Sequence, residues 1–443
     1  MPYYVERNTA GPQALATEEF TVEAARNCTL ESYEPISVPS FDIDEEIIAY
    51  ASPDSTYAVT KQFFDSAKKS IRIGIYDFSA SYVKDLILDA MGRGVEVTLM
   101  LDVDSEKEQA FFDDLTEMGV DGVVAPACSS PRARYFSSCH EKFIVIDDTW
   151  TLVQSGNYST NSIPLNETDG GDPDAFKKGN RDTGLAIKSK KLAKFFTKIL
   201  RSDIDLVLNG PEALHAPVAT DAPVFWVEAV PKKIPSELFM SKRFDFSSRP
   251  LTIQPILSPD NYMTDIPPVL AGAKKSILIE QQYIRGRQAG ITLLLQAIAA
   301  AMQNNADLDV RIVLGKLFDA EDIKNEKQNL ALLASIYGLK LGTHIRFIDT
   351  TRFVHCHNKM ILVDGNTVLV SSQNWSDSAV RKNREAGILL THKPIATYFT
   401  KIFESDWSTG IKKVPIPAKK KLKPETLARG GFVRVVPADY REV

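Results

Sequence analysis

Cysteine is scarce, with four residues (Cys28, Cys128, Cys139, Cys356) in a chain of 443. That excludes a disulfide-stapled scaffold, and no C-x-x-C pair suggests a metal knuckle or dithiol motif. A single Cys128–Cys139 bridge is compatible with the spacing. No apolar run approaches the ~18 to 20 residues of a membrane-spanning helix, and the first residues lack the charged-then-apolar layout of a signal peptide. The expectation is a soluble chain, cytoplasmic or secreted in trimmed form. Positive charge is not in excess either: 52 Lys and Arg stand against 57 Asp and Glu, a net charge of −5. Holding duplex nucleic acid as a main task is thereby disfavoured, because such binding rests on clustered cations that displace counterions, although a local basic cleft stays open. What is present is ordinary for a globular protein, 44% hydrophobic and 25% charged residues, which excludes a disordered or collagen-like chain.

The informative feature is internal repetition. Ser52-Pro53-Asp54 returns as Ser258-Pro259-Asp260, and Ala67-Lys68-Lys69-Ser70-Ile71 as Ala273-Lys274-Lys275-Ser276-Ile277, both displaced by 206. Cys139-His140-Glu141-Lys142 with Asp147 returns as Cys356-His357-Asn358-Lys359 with Asp364, and Ser155-Gly156-Asn157 as Ser372-Gln373-Asn374, displaced by 217. Asn180-Arg181-Asp182 returns as Asn383-Arg384-Glu385, and Phe196-Thr197-Lys198-Ile199 as Phe399-Thr400-Lys401-Ile402, displaced by 203. Collinear blocks with two changes of offset mean a duplicated domain. A period near 200 residues is too long for a solenoid, whose units run ~20 to 50 residues.

Within each copy, apolar alternation over 70–76 predicts a strand. A helix follows with Val83, Leu86, Ile87 and Met91 on one face, then a strand over 95–101. The second copy repeats this β-α-β unit through 277–279, a helix over 293–302, and 310–314. The expected division is an arm (1–45), a first repeat (46–214), a connector (215–251), a second repeat (252–410) and a Lys/Pro-rich tail (411–443). Proline at 12, 35 and 39, and at 217, 223, 231, 235 and 250, marks the arm and connector as irregular. The lysine run of the tail, Lys412 to Lys423, reads as a solvated linker, with an anionic-lipid or nucleic-acid patch as the alternative.

Each His-x-Lys block opens an apolar run, so it is expected in a strand, where alternation points His140 and Lys142 to one face, as it does His357 and Lys359. Glu141 and Asn358 then face away, and so do Cys139 and Cys356, which reads as core cysteine. Turn sequences at Asp147 and Asp364 should fold a hairpin that returns Asn157 and Asn374 beside them. If the halves pack about a pseudo-dyad, two His, two Lys and two Asn converge on a site for a tetrahedral anion. Ammonium and amide donors suit the non-bridging oxygens of a phosphodiester, and imidazole can attack phosphorus or protonate a leaving oxygen. Asp182 and Glu385 are suited to fix an imidazole tautomer. Zinc at the Cys and His cluster is disfavoured, since alternation turns the cysteines away and the lysines repel a cation.

The pattern H-x-K-x4-D-x6-G-S-x-N, present twice, resembles the phospholipase D superfamily of HKD-motif phosphodiesterases. His140, Lys142, Asp147, Ser155 and Asn157 fit one copy, and His357, Lys359, Asp364, Ser372 and Asn374 the other. Gln154 and Ser371 depart from it, standing where the family has a glycine. The resemblance implies an α/β fold: two tandem phospholipase D-like α/β/α repeats packed as a pseudo-two-fold dimer, the active site at their interface. It also implies a reaction that needs no metal or other cofactor and passes through a phosphohistidine, resolved by water or an alcohol. By analogy His140 is the nucleophile and His357 the general acid, while Asp147 and Asp364 brace turns.

Phe78 and Tyr283, at the ends of equivalent strands, are candidate substrate contacts. Residues 158–179, an acidic glycine-bearing insertion confined to the first copy, are read as a lid or as surface decoration. The leading substrate is a phospholipid, met at a membrane surface by a monomer that is internally dimeric. A nuclease acting on single-stranded nucleic acid, and a silent binding scaffold, are the alternatives.

Overall fold

The computed structural model describes residues 28–165, 170–171, 177, 179–210, 232–233, 237–317 and 320–415. The first half runs β1 (Phe41–Ile43), β2 (Glu46–Ser52), α1 (Thr56–Ser66), β3 (Ser70–Ile75), α2 (Ser81–Gly92), β4 (Glu96–Leu101), α3 (Glu106–Glu117), β5 (Asp121–Val124), β6 (Lys142–Ile146), β7 (Trp150–Gln154), β8 (Asp182–Lys188) and α4 (Lys190–Asn209). The second runs β9 (Lys242–Asp245), β10 (Leu251–Ser258), α5 (Tyr262–Ala271), β11 (Ser276–Gln281), α6 (Ala289–Asn304), β12 (Asp309–Leu314), α7 (Ala320–Tyr337), β13 (Ile345–Phe347), β14 (Met360–Val363), β15 (Thr367–Ser371), α8 (Asp377–Arg381), β16 (Glu385–Thr391) and α9 (Lys393–Thr409).

Two mixed eight-stranded sheets result, ordered β5-β4-β3-β6-β7-β8-β2-β9 and β13-β12-β11-β14-β15-β16-β10-β1. Position by position they are one topology built twice. The parallel strands β3, β4 and β5 are linked through helices, as crossover connections require, and the remainder is antiparallel. The β6–β7 turn places Asp147 and Asp148 at φ of 52° and 51°, and the β14–β15 turn places Asp364 and Gly365 at 55° and 68°, the left-handed geometry that tight hairpins need.

The arm and connector depart from the irregular expectation at their ends. β1 pairs with β10 of the second half, and β9 pairs with β2 of the first, so each half receives its outermost strand from the segment that precedes the other. Proline content hid these strands because each is only three or four residues long and is stabilised by its tertiary partner. The tail beyond 415, most of the connector and residues 1–27 lie outside the described residues.

Each sheet buries its outer face under its own helices, α1 to α3 in one half and α5 to α7 in the other. The inner faces share one core with α4 and α9, in which Phe143, Val145 and Phe196 meet Leu257, Val370 and Phe399. Continuous apolar packing across the dyad makes the halves one unit. Among the described residues no helix is long and apolar enough to cross a membrane. Cysteine pairing differs from the spacing argument: Cys28 bonds to Cys128, and Cys139 is buried and reduced, as is Cys356. Cys139 leaves the expected pairing because alternation turns it into the shared core.

Candidate active site

His140 and His357 precede strands β6 and β14 rather than lying inside them, because pairing with β3 and β11 stops at Lys142 and Met360. The opposite half takes over. The His140 N–H donates to the Arg384 carbonyl at 2.8 Å, and the Arg384 N–H to the Ser138 carbonyl at 2.9 Å. Symmetrically, the His357 N–H donates to the Arg181 carbonyl at 3.0 Å, and the Arg181 N–H to the His355 carbonyl at 2.9 Å. These short parallel bridges set each His-x-Lys block in register with the partner half's third block.

The imidazoles are held crosswise by the same device. His140 Nδ1 lies 2.8 and 3.0 Å from the two carboxylate oxygens of Glu385, and His357 Nδ1 lies 3.0 Å from Oδ1 of Asp182. An acceptor at Nδ1 puts the proton there and leaves Nε2 with its lone pair. Ser155 Oγ donates to Asp182 at 2.7 Å and Ser372 Oγ to Glu385 at 2.5 Å, so each motif serine braces the carboxylate that serves the other half's histidine. Burial, followed by the fields of Lys142 and Lys359, holds His140 well below the ordinary imidazole range. Burial and Lys359 push His357 down to about 4, against the opposing pull of Asp182. Burial works against the Asp182 charge, yet His357, Lys359 and Ser155 keep its carboxyl below the usual range.

Lys142 Nζ donates to the His140 carbonyl and Lys359 Nζ to the His357 carbonyl, each at 2.5 Å, so both ammoniums fold back beside their histidines. Asn157 reaches Asp77 at 3.5 Å, and the side-chain oxygens of Asn157 and Asn374 are buried with no hydrogen-bond partner among the described residues. Asp147 accepts from the N–H groups of Lys68, Lys69 and Ser70, and Asp364 from those of Lys274, Lys275 and Ser276, so both pin the hairpin turn to the preceding strand. The two departures from the glycine pattern are absorbed locally: Gln154 bonds Tyr50 and the Gly156 carbonyl, and Ser371 bonds the Lys359 carbonyl.

Phe78 does not stand at the site where the strand-end argument expected it. It is fully buried in the outer core, its ring against Phe111 and Tyr158, and its backbone bridges to Tyr158. Its neighbour Tyr76 stands at the site instead, its ring 4.7 Å from that of His140 with Lys142 Nζ 5.1 Å from its centre. Tyr283 is half-buried and stacks under Arg285 at 4.5 Å. The insertion begins as core, with Tyr158 and Ile163 fully buried; residues 166–169, 172–176 and 178 lie outside the described residues.

Two buried arginines escaped the motif reading. Arg181 bonds Asp54 at 2.8 Å and Asp406 of the other half at 2.7 Å. Arg384 bonds Asp260 and, across the dyad, Asp203, both at 2.6 Å. Arg181 is stacked between Phe239 and Phe353, and Arg384 between Tyr33 and Phe136. The signal was available: Asp203 and Asp406 stand 203 apart, Tyr33 and Phe239 206, Phe136 and Phe353 217, the three displacements of the motif blocks. Behind the histidines a carboxyl is buried in each half, from a different position. Glu280 accepts from Asn358 at 2.8 Å, whereas in the first half the positions 206 and 217 earlier hold Gly74 and Glu141, and the Glu141 side chain lies over that glycine.

These features define a duplicated α/β protein with one composite His-Lys site on its pseudo-dyad. The chain belongs to the phospholipase D superfamily: the family model described as "Cardiolipin synthase, PLD-like domain" matches residues 60–204 and 267–407. No curated protein matches the sequence. Among solved structures the chain is similar to phosphatidylserine synthase of Haemophilus influenzae Rd KW20, at 13% identity and a TM-score of 0.55 over 90% of this chain and 89% of that one. Polyphosphate kinase from Porphyromonas gingivalis aligns at 12% identity and a TM-score of 0.50, over 86% of this chain and 54% of that one. Nuc from Salmonella typhimurium, a phospholipase D family member, aligns at 20% identity and a TM-score of 0.29, over 35% of this chain and 92% of that one. At identities this low the first two alignments speak for shared fold alone.

Proposed function

We propose that the protein is a phospholipase D-type enzyme that hydrolyses a phospholipid head-group phosphodiester, or exchanges its alcohol, through a covalent phosphohistidine and without a metal ion. The observation that carries the reading is the crosswise histidine pair, each Nδ1 bound by the partner half's carboxylate. His140 Nε2 attacks phosphorus, and the bond to the leaving alcohol breaks as His357 hands that oxygen a proton. His357 then takes a proton from water or a second alcohol, whose oxygen displaces the His140 nitrogen. Glu385 and Asp182 stabilise the imidazolium that each step creates.

For His357 to begin as an acid its proton affinity must rise from the empty-site level. An entering phosphodiester anion supplies this, since it offsets the Lys142 and Lys359 charges that help to depress both imidazoles. In this reading the same lysines, with the amides of Asn157 and Asn374, donate to the non-bridging oxygens. A lipid substrate accords with the matched family's description and with a charge balance that offers no surplus of cations for a nucleic-acid track. The test is a panel run in EDTA: labelled phospholipids with an added short alcohol, beside single-stranded oligonucleotides. A phosphatidyl-alcohol is expected. Shortened oligonucleotides with every lipid untouched would replace this reading with a nuclease.

A further inference from the structure

The pseudo-symmetry that builds the site is broken at one buttress. Residues 28–40 form an irregular strap between two anchors, the Cys28–Cys128 disulfide on the first half and the β1–β10 pairing on the second. Along the way the Glu31 N–H donates to the Arg134 carbonyl at 2.7 Å, and the Ile36 N–H to Asp260 at 2.8 Å. Between those points Tyr33 closes the Arg384 cage. Its hydroxyl donates to Asp260 at 3.0 Å and accepts from Arg384 at 2.9 Å, while its ring packs against Phe136, 4.9 Å between centres.

Arg384 sits where this matters. Its carbonyl receives the His140 N–H, and Glu385, the next residue, holds His140 Nδ1. Cys128 belongs to the loop that leads through Phe136 into His140, so the disulfide fixes the strap and that loop together. The opposite cage around Arg181 is closed by Phe239, which has no hydroxyl, and the chain holds no further cysteine pair to lock it, since Cys139 and Cys356 are buried in the shared core.

We propose that Tyr33, carried on a strap locked by the Cys28–Cys128 disulfide, is a positioning residue for His140 and not for His357, and that a dithiol reductant releases it. This deepens the phosphohistidine reading and rests on it only for the effect on rate. In the release step a thiolate attacks Sγ of Cys28, the half-buried partner, and Cys128 leaves as a thiolate that takes up a proton. The second thiol of the reductant resolves the mixed disulfide, leaving two protein thiols and an oxidised dithiol, a two-electron, two-proton exchange. With the strap free, Tyr33 no longer covers Arg384, and water gains access to the back of the Arg384–Glu385–His140 line.

The imidazole then reports. His140 faces Glu385, Lys142, Lys359, His357 and the Tyr76 ring, and burial is the largest cause of its depressed proton affinity. Hydration of its support should move its titration upward toward the ordinary imidazole value. The experiment is an NMR titration of the two site histidines in the full chain, oxidised and after dithiothreitol, together with turnover of the lipid substrate. On reduction His140 is expected to titrate about one pH unit or more higher, with His357 unmoved as internal control, and turnover should fall several-fold. Tyr33→Ala should reproduce the shift in the oxidised protein, and Tyr33→Phe, which keeps the ring, should show a smaller one. Unchanged histidines, or both moving together as in general loosening or unfolding, would overturn the proposal. Absence of turnover in both states would instead strike the phosphohistidine reading, with the titration still deciding the strap.

Discussion

Glu141 separates His140 from Lys142 and is fully buried, and neither of its oxygens has a hydrogen-bond partner on another described residue. Burial pushes its carboxyl from 4.5 up to about 8, with Asp203 adding to the rise and its own backbone N–H, then Arg384 and Lys142, opposing it. An acid whose folded pKa is raised binds more protons folded than unfolded between the two values. Its stabilising contribution is therefore whole below about pH 4.5 and is lost as pH climbs toward 8. Between pH 5 and pH 8 the linkage amounts to about 3 kcal/mol for this one group. Glu141→Gln, which keeps the shape of the protonated acid and cannot ionise, should remove that loss. The assay is urea unfolding at pH 5, 6.5 and 8: wild type should lose about 3 kcal/mol more than the variant across the range. Glu280, also pushed up to about 8, contributes in both proteins and cancels in the comparison. Parallel pH dependences would refute the reasoning, showing that Glu141 ionises without penalty in the fold.

The crosswise pairs make Asp182→Asn an attack on the other half's histidine: turnover should fall about 10³- to 10⁴-fold, with Ser155→Ala milder, and an Asn variant within tenfold of wild type would contradict the tautomer argument. Because burial and the lysines hold His140 well below the ordinary imidazole value of 6.5, the nucleophile stays unprotonated into acid, and the acid limb of kcat/KM, which reports its protonation, should lie below 6.5; a break at 6.5 would show that the site is wetter than described. Arg181→Met leaves Asp54 and Asp406 buried without their counter-ion and should cost about 3 to 5 kcal/mol in urea unfolding. Adding Asp54→Asn and Asp406→Asn should restore much of it; a single variant as stable as wild type would show that the triad carries no net load.

Much of this molecule was legible because duplication writes the same physics twice. The offsets 206, 217 and 203 located the motif blocks, the braced turns at Asp147 and Asp364, and the Asn, Ser and carboxylate positions; the same offsets also held Asp203, Asp406 and the aromatic pairs, which carry no family motif. Local alternation correctly turned Cys139 and Cys356 into the core. Position at a strand end did not place Phe78, whose ring packs in the outer core against Tyr158, and proline content did not show the three- and four-residue strands of the arm and connector, which form only against their partners.

By itself, then, the amino-acid order determined the two-copy architecture and the chemical groups of the site, since both are recorded in local periodicity and in covalent displacement. Which carboxylate serves which histidine was decided by tertiary structure alone. The His140–Glu385 and His357–Asp182 bonds join residues 245 and 175 positions apart, through backbone bridges that exist only once the two sheets bury their inner faces together. The partnering of Cys28 with Cys128, and of Glu141 with the space over Gly74, follows from the same packing. Spacing along a chain carries no information about what a distant segment brings to it; close-packing of two apolar faces does.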